Sequence, residues 1–404
     1  MKIAIMGFGV VGSGVGELIG INNANMKRRS GEDIEVAKIL DLRDFTDSAF
    51  DCFTKDFNDI LNDPEIGVVA EVMGGTNPAY TFTKQLLLAG KSVVTSNKEL
   101  VAKHGTELLQ IAREKNLNYL FEASVGGGIP IIRPLYSSLI ANELTDVIGI
   151  LNGTTNYILT QMINEGESFA TALKGAQEKG YAEKDPTADV EGHDTCRKIA
   201  ILASLAFGKF VNSDDIECEG ITKITLEDVA YANKIGSVIK LVGMTKKVEN
   251  GVYARVCPAI LRREHALAGI DDVFNGIMVK GDALGDVMFY GRGAGSLPTA
   301  SAVVSDIIDC VKHKDTHIRL GWSDGVDGYL LDANDQDFSI YVRLEGCSDD
   351  FNKKGFEVVT LDGDKYKDEF AIVTPKMTGY EFKKFIENEL SSFKILGKIR
   401  LVSE

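Results

Sequence analysis

The 404-residue sequence predicts an α/β fold in three parts: an N-terminal doubly wound parallel sheet, a second α+β domain, and a small ferredoxin-like C-terminal domain. Three observations carry this. Short apolar strand runs alternate with helical patterns from residue 1 to about residue 133, the arrangement that builds a parallel sheet with crossover helices. The chain is far longer than one hydrophobic core supports, so a second domain, 134–295, follows, with the helix-rich stretch 296–320 completing the first. From about Phe338 the pattern shortens to strand, helix, two strands, helix and strand, which sets off 335–404.

Ile3-Ala4-Ile5 reads as a short buried strand, and Gly7-Phe8-Gly9-Val10-Val11-Gly12 follows it directly, before a helical pattern carried by Val11, Val15, Leu18 and Ile19. In that context the three glycines have distinct uses. Gly7 permits the tight turn, Gly9 lets backbone approach a pyrophosphate, and Gly12 allows close helix packing, while the helix N-terminus attracts phosphate charge. The sheet is therefore of the Rossmann type and takes a dinucleotide.

The second strand, Ile34 to Leu40, ends at Asp41, where an acid accepts hydrogen bonds from ribose hydroxyls and favours NAD. Arg43 and Lys38 nearby suit a 2′-phosphate, and the interval from the glycines is long enough for Asp44 to hold the ribose position instead. NAD or NADP is expected, NAD first. Strand runs at Val68–Val72 and Ser92–Thr95 lead into Gly74-Gly75-Thr76-Asn77-Pro78 and Ser96-Asn97-Lys98, at the carboxyl ends where such sheets hold ligands. Lys98 opens a helix there, as a cation within reach of the nicotinamide and substrate region.

After Gly126-Gly127-Gly128-Ile129-Pro130 comes a helix, then a strand, Asp146 to Leu151, crowned by Asn152-Gly153-Thr154-Thr155-Asn156. These amides and hydroxyls cap a helix, and capping is compatible with holding a ligand. Further on, Asp194 and Lys198 sit one turn apart at a polar helix start that runs into Ile199, Ile201 and Leu202. A lysine beside apolar packing and a carboxylate is placed for proton transfer. Glu183 and Asp185, before Pro186, are carboxylates suited to a substrate ammonium group. Gly291-Arg292-Gly293-Ala294-Gly295, ahead of the helical run Ala300–Val311, resembles a second backbone approach to the cofactor.

Composition narrows the classes. A formal net charge of −15 with no Lys/Arg-rich run argues against nucleic acid, and no segment is long and apolar enough for a bilayer. The strand starting at Lys2, with no leader ahead of it, predicts a cytoplasmic protein. Six scattered cysteines form no CxxC pair and read as reduced thiols; the five histidines show neither zinc spacing nor a triad partner.

With those residues in place, the sequence resembles the homoserine dehydrogenases from Lys2 to about Val311. The resemblance rests on the glycine fingerprint, TSNKEL, EASVGGGIPII, GILNGTTNYIL, the Gly180–Lys198 stretch and GRGAGSLPTASAVVSD, in that order. It implies reversible NAD(P)H-dependent reduction of L-aspartate 4-semialdehyde to L-homoserine. It implies Lys198 and Lys98 in proton transfer and carbonyl polarisation, and Asp194 orienting Lys198 or substrate. Glu183, Asp189 and Tyr181, with Thr154 of the polar cluster, would line the homoserine site, Glu183 meeting the amino group. Gly180, Gly75, Thr76 and Gly293 would lie along the cofactor.

The resemblance further implies a monovalent cation, sodium, held by Glu122 and the main-chain carbonyls of Val125, Gly127 and Ile129. It also implies a homodimer in which domain 134–295 joins subunits, and a monofunctional form, since no kinase segment precedes Met1. The tail corresponds to an ACT domain, but Glu345-Gly346-Cys347-Ser348-Asp349-Asp350-Phe351 lacks the usual Asp-x-Pro-Gly signature, so the tail reads as degenerate, able to bind an effector or to join subunits. Two rivals share the residues: another amino-acid semialdehyde reductase, and a nucleotide-sensing regulatory protein without turnover.

Overall fold

In the computed structural model, which describes residues 1–351 and 355–402, the run Ile3–Met6 lies at the centre of a parallel sheet with no exposed surface. Such a strand is covered on both faces, which is why it reads as continuously apolar. Chain order is β1 (Lys2–Met6), α1 (Val10–Ser30), β2 (Glu35–Leu40), β3 (Phe53–Thr54), α2 (Asn58–Leu61), β4 (Ile66–Glu71), α3 (Ala79–Leu88), β5 (Ser92–Thr95), α4 (Lys98–Glu114), β6 (Tyr119–Leu120) and α5 (Ile132–Tyr136). The strands pair in the order β3-β2-β1-β4-β5-β6, all parallel. The order reverses between β1 and β4, the switch point at which doubly wound sheets take their ligands.

The long interval between the glycines and Asp41 has a simple cause. Helix α1 runs 21 residues and stops at Gly31, whose left-handed backbone (φ +85) lets its N–H bond back to Lys27 O.

The remainder runs β7 (Leu144–Ile150), α6 (Gly153–Asn164), α7 (Phe169–Glu178), α8 (Thr187–Val190), α9 (His193–Phe207), β8 (Glu217–Cys218), α10 (Leu226–Lys234), β9 (Ser237–Val248), β10 (Gly251–Arg262), β11 (Phe274–Gly281), β12 (Gly285–Arg292), α11 (Ser296–Lys312), β13 (Asp337–Glu345), β14 (Glu357–Val359), β15 (Glu369–Val373), β16 (Met377–Thr378), α12 (Gly379–Glu389) and β17 (Lys394–Val402). Contacts divide the chain into two compact units: Met1–Glu143 with Ala200–Ser213 and Phe289–Val326, and Leu144–Ile199 with Asp214–Met288 and Asp327–Glu404. Helix α11 belongs to the first unit, where it packs on α1: a Cβ at Gly14 would meet Ser296 Oγ and Ala300 Cβ. Small residues thus let the two helices approach closely.

The second unit is built on a mixed sheet of eleven strands, nine in the order β12-β11-β7-β9-β10-β17-β13-β15-β14, with β16 paired to β13 and β8 to β10. Its C-terminal part has the ferredoxin-like strand order, β17-β13-β15-β14, with α12 as a crossover. Two expectations differ here. Among the described residues the first crossover holds a 3₁₀ turn, Ser348–Asp350, where a helix was expected; positions 352–354 and 403–404 of the expected domain lie outside the described residues. Nor is the segment set apart by its contacts. β17 pairs in parallel with β10, Ala259 opposite Arg400 through Leu261 opposite Val402, so two would-be edges close on each other.

A buried ion network adds to that junction. Arg343 on β13 reaches Asp228 on α10 (Nε to Oδ1, 3.0 Å), Glu369 on β15 (Nη1 to Oε2, 3.0 Å) and Thr225 (Nη2 to Oγ1, 3.1 Å). Beside it lies a second core of Val342, Leu344, Phe370, Ile372 and Phe382. Among the described residues no helix is long and apolar enough to cross a membrane, no acid, cysteine and histidine cluster suits a metal ion, and all six cysteines are free.

Candidate active site

In the first unit the glycines do the work their positions predict. A Cβ on Gly12 would overlap the Gly7 carbonyl oxygen, so only glycine lets α1 start this close to β1. Gly7 itself has φ +94, a backbone that L side chains rarely adopt. Gly9 is different: the only atom near its missing Cβ is Arg43 Nη2 at 3.9 Å, which leaves the loop surface open to a ligand. The backbone dipole of α1 presents its positive end to that surface, no acid of its first turn offsets it, and Lys27, Arg28 and Arg29 sit at the negative end. These features fit a pyrophosphate.

Asp41, and not Asp44, is the acid at this loop. Its Oδ2 accepts the Phe8 N–H at 2.7 Å, whereas Asp44 is exposed and pairs with Lys55. Arg43 closes on Asp41 with its backbone N–H (3.0 Å), Nε (3.0 Å) and Nη2 (2.8 Å), and this guanidinium holds the carboxyl far below the usual carboxylate range. With two acceptors on each oxygen engaged, Asp41 is saturated. Phe8 packs edge-on against Phe45 and Phe53, a cluster that shapes the loop from below.

At the carboxyl ends of β4 and β5, Gly75 (φ +67) and Thr76 precede α3, and Lys98 is the first residue of α4, half-buried, behind the Asn97 cap. Gly293 also meets the glycine loop after β6, since a Cβ on Gly127 would overlap its main chain.

Glu122 is buried in the same unit. Oε1 accepts the N–H groups of Ile131 (2.7 Å) and Ile132 (2.8 Å), and Oε2 that of Arg133 (2.7 Å). Burial pushes its carboxyl up; burial and then the Glu122 charge push up Asp306, which accepts the Glu122 N–H (2.8 Å) and pairs with Arg133 (2.7 Å). Arg133 also meets Asp309, so two acids share its guanidinium while Glu122 holds its main-chain N–H, three acids around one cation. That negative excess, the remaining acceptor capacity of Oε2, and the turn-forming Gly126 and Gly127 (φ +73 and +55) fit a hard monovalent cation ligated by oxygens.

The second unit gathers the polar residues between Leu151 and Lys198. Lys198 Nζ donates to Asp194 Oδ2 and to the Leu151 carbonyl, both at 2.7 Å, with the two side chains 10% and 5% exposed. An ion pair this buried is costly unless further hydrogen bonds support it, and Asn152 adds one: Nδ2 donates to Asp194 Oδ2 (2.9 Å) and also to Asp189 Oδ1 (2.7 Å). Asn152 Oδ1 in turn caps α6 through Thr155 N–H (2.9 Å). Capping and site-building therefore coexist in one side chain. Thr154 Oγ1 donates to the Tyr181 carbonyl (2.6 Å), and Tyr181, 42% exposed, stands edge-on to Tyr157. Gly180 (φ +74) turns the chain out of α7, and Glu183 follows with its carboxylate exposed.

The structure thus brings Lys198, Asp194 and Asp189 into one hydrogen-bonded cluster and Thr154 onto Tyr181. It leaves Glu183 on the loop beside them, with Gln177 Nε2 donating to its carbonyl at 3.1 Å. Asn152 as the hub was not singled out from sequence, and its only signal there is an asparagine directly ahead of a helix. The Leu151 carbonyl gave no sequence signal at all.

A doubly wound sheet with an open glycine loop at its switch point, together with a buried lysine–carboxylate pair, defines a nicotinamide-dependent oxidoreductase. Family models described as homoserine dehydrogenase, NAD binding domain, and homoserine dehydrogenase match residues 7–122 and 130–308. The homoserine dehydrogenase of Synechocystis sp. is 44% identical over 317 residues, 77% of this chain and 73% of that protein. The crystal structure of a homoserine dehydrogenase from Thiobacillus denitrificans is similar at 34% identity and a TM-score of 0.89, over 100% of this chain and 98% of that one. A hyperthermophilic archaeal homoserine dehydrogenase mutant in complex with NADPH is similar at 27% identity and a TM-score of 0.64, over 76% and 97%. The chain belongs to the homoserine dehydrogenase family.

Proposed function

We propose that the chain catalyses the family reaction, the reversible reduction of L-aspartate 4-semialdehyde to L-homoserine, and that Lys198 is its proton donor. The observation that carries this is the Lys198–Asp194–Asn152 cluster: a lysine held against a carboxylate and a carbonyl by 2.7 Å hydrogen bonds, largely out of water. A nicotinamide coenzyme, when bound, supplies or takes the hydride. As the carbonyl carbon gains hydride its oxygen becomes an alkoxide, and Lys198 gives that oxygen a proton; in the oxidative direction it takes the proton back. Asp194 and the Leu151 carbonyl fix the direction in which Nζ presents its protons. Lys98 is assigned to carbonyl polarisation, with Asp189, Tyr181 and Thr154 lining the substrate. The competing semialdehyde and sensor readings lose ground to the family match and to this intact proton-transfer cluster.

Glu183 is assigned to the substrate ammonium group. Glu183→Gln keeps the shape and removes the charge, so KM for L-homoserine rises about tenfold, the worth of one charge-assisted hydrogen bond. Steady-state kinetics with L-homoserine varied check this. An unchanged KM removes Glu183 from the substrate site.

NAD and NADP are both assigned to the Gly7–Gly12 loop, Gly75, Thr76, Gly180 and Gly293. Sodium is assigned to Glu122 with the carbonyls of Val125, Gly127 and Ile129, as a structural ion. Replacing sodium by choline at constant ionic strength lowers Tm by about 3 °C, and Glu122→Gln abolishes the difference. Identical melting of wild type in both salts overturns the ion site. A homodimer in the cytoplasm completes the proposal; β12 ends the large sheet with Met288 and Tyr290 exposed, an edge suited to a second copy.

A further inference from the structure

Glu71 lies at the carboxyl end of β4 with no exposed surface, opposite Met6 of β1 and Thr95 of β5 in the parallel register. Every apolar neighbour argues for a valine or isoleucine there, because a buried carboxylate is costly unless hydrogen-bonded. Its hydrogen bonds go to the loop after its own strand and to the last residue of β5. Oε1 accepts the Met73 N–H at 2.9 Å, fixing the chain that leads into Gly74 and Gly75. Oε2 accepts the Thr95 hydroxyl at 2.6 Å.

Thr95 Oγ1 then accepts the Asn97 N–H at 2.9 Å. Asn97 returns to the first loop by donating Nδ2 to the Gly75 carbonyl at 2.6 Å, and its Oδ1 accepts the Leu100 N–H at 3.1 Å, capping α4. The bonds close a ring: Glu71 to Met73 and along the chain to Gly75, and Glu71 to Thr95 to Asn97 to Gly75. Lys98 is the next residue after the ring.

We infer that Glu71 is a positioning residue for the coenzyme, holding the loop of Gly75 and the first turn of α4 in one frame through Thr95 and Asn97. This rests on the assignment of Gly75 to the coenzyme. The ring's own residues, Glu71, Thr95, Asn97 and Gly75, carry no substrate assignment. Its effect therefore falls on coenzyme affinity.

The test uses the full chain with Glu71→Gln, Thr95→Val and Thr95→Ser, titrating NADH and NADPH by nicotinamide fluorescence and measuring homoserine kinetics and melting. Glu71→Gln and Thr95→Val raise the dissociation constant of both coenzymes about tenfold, and Thr95→Ser, which keeps the hydroxyl, restores wild-type affinity. KM for L-homoserine stays within twofold at saturating coenzyme. Unchanged coenzyme affinity with a lowered Tm makes the ring structural only and overturns the inference. Should Glu71→Gln fail to fold, the Thr95 pair decides alone. A wild type that binds neither coenzyme fails on the underlying assignment, a result distinct from a wild type and variants that bind alike.

Discussion

Lys198→Ala is expected to lower kcat for homoserine oxidation by roughly a thousandfold, within the range general acid–base groups contribute, while coenzyme still binds. The alanine removes the cation paired with the buried Asp194 charge, so the variant is also less stable by about 3 kcal/mol. Stability alone would confuse the reading, and Lys198→Arg separates the two effects. Arginine keeps the positive charge and a partner for Asp194 but does not surrender a proton in a protein. It should therefore restore much of the Tm and little of the kcat. Nicotinamide absorbance with L-homoserine, read beside a melting curve, gives both numbers. An arginine variant that turns over at near the wild-type rate removes proton transfer from Lys198 and leaves it an electrostatic part.

Sequence and structure agree where a residue type is forced by backbone geometry. Gly7 and Gly12 each occupy a position that a side chain would strain or fill, so the strand–turn–helix unit was readable locally. β5 falls at the expected residues, and β2, β4 and β7 within two, because buried or alternating apolar runs mark strand centres better than strand ends. The union of β17 with β10 was not legible. It joins residues about 140 positions apart, and an edge carries no local sign of which other edge it will meet.

The candidate site divides along the same line. Asp194 and Lys198 are visible as an i,i+4 pair, since one helix carries both. Asn152 and Glu71 act through partners on other elements, and an isolated asparagine before a helix or an isolated acid ending a strand looks ordinary. The 3₁₀ turn Ser348–Asp350 replaced an expected helix for a composition reason: Gly346, Ser348 and Asp349 compete with helix formation through flexibility and local side-chain bonding.

Arg43→Ala is expected to change the coenzyme ratio in both directions at once. In the structure Arg43 occupies Asp41 with three donors and lies nearest the open face of Gly9, so the same guanidinium both withholds the acid from ribose hydroxyls and offers a cation to a 2′-phosphate. Removing it deletes one charge-assisted contact with NADP, about a thirtyfold loss, and leaves Asp41 with the Phe8 N–H and open acceptor capacity for the ribose of NAD. The Asp41 carboxyl, held down chiefly by the Arg43 side chain, then rises toward its ordinary range yet stays ionised at neutral pH, so its capacity as an acceptor is kept. KM for NADP should climb while KM for NAD stays level or falls, measured at fixed L-homoserine. Equal losses with both coenzymes would show instead that Arg43 supports the loop through Phe45, over whose ring its guanidinium lies at 5.2 Å, and that coenzyme choice is made elsewhere.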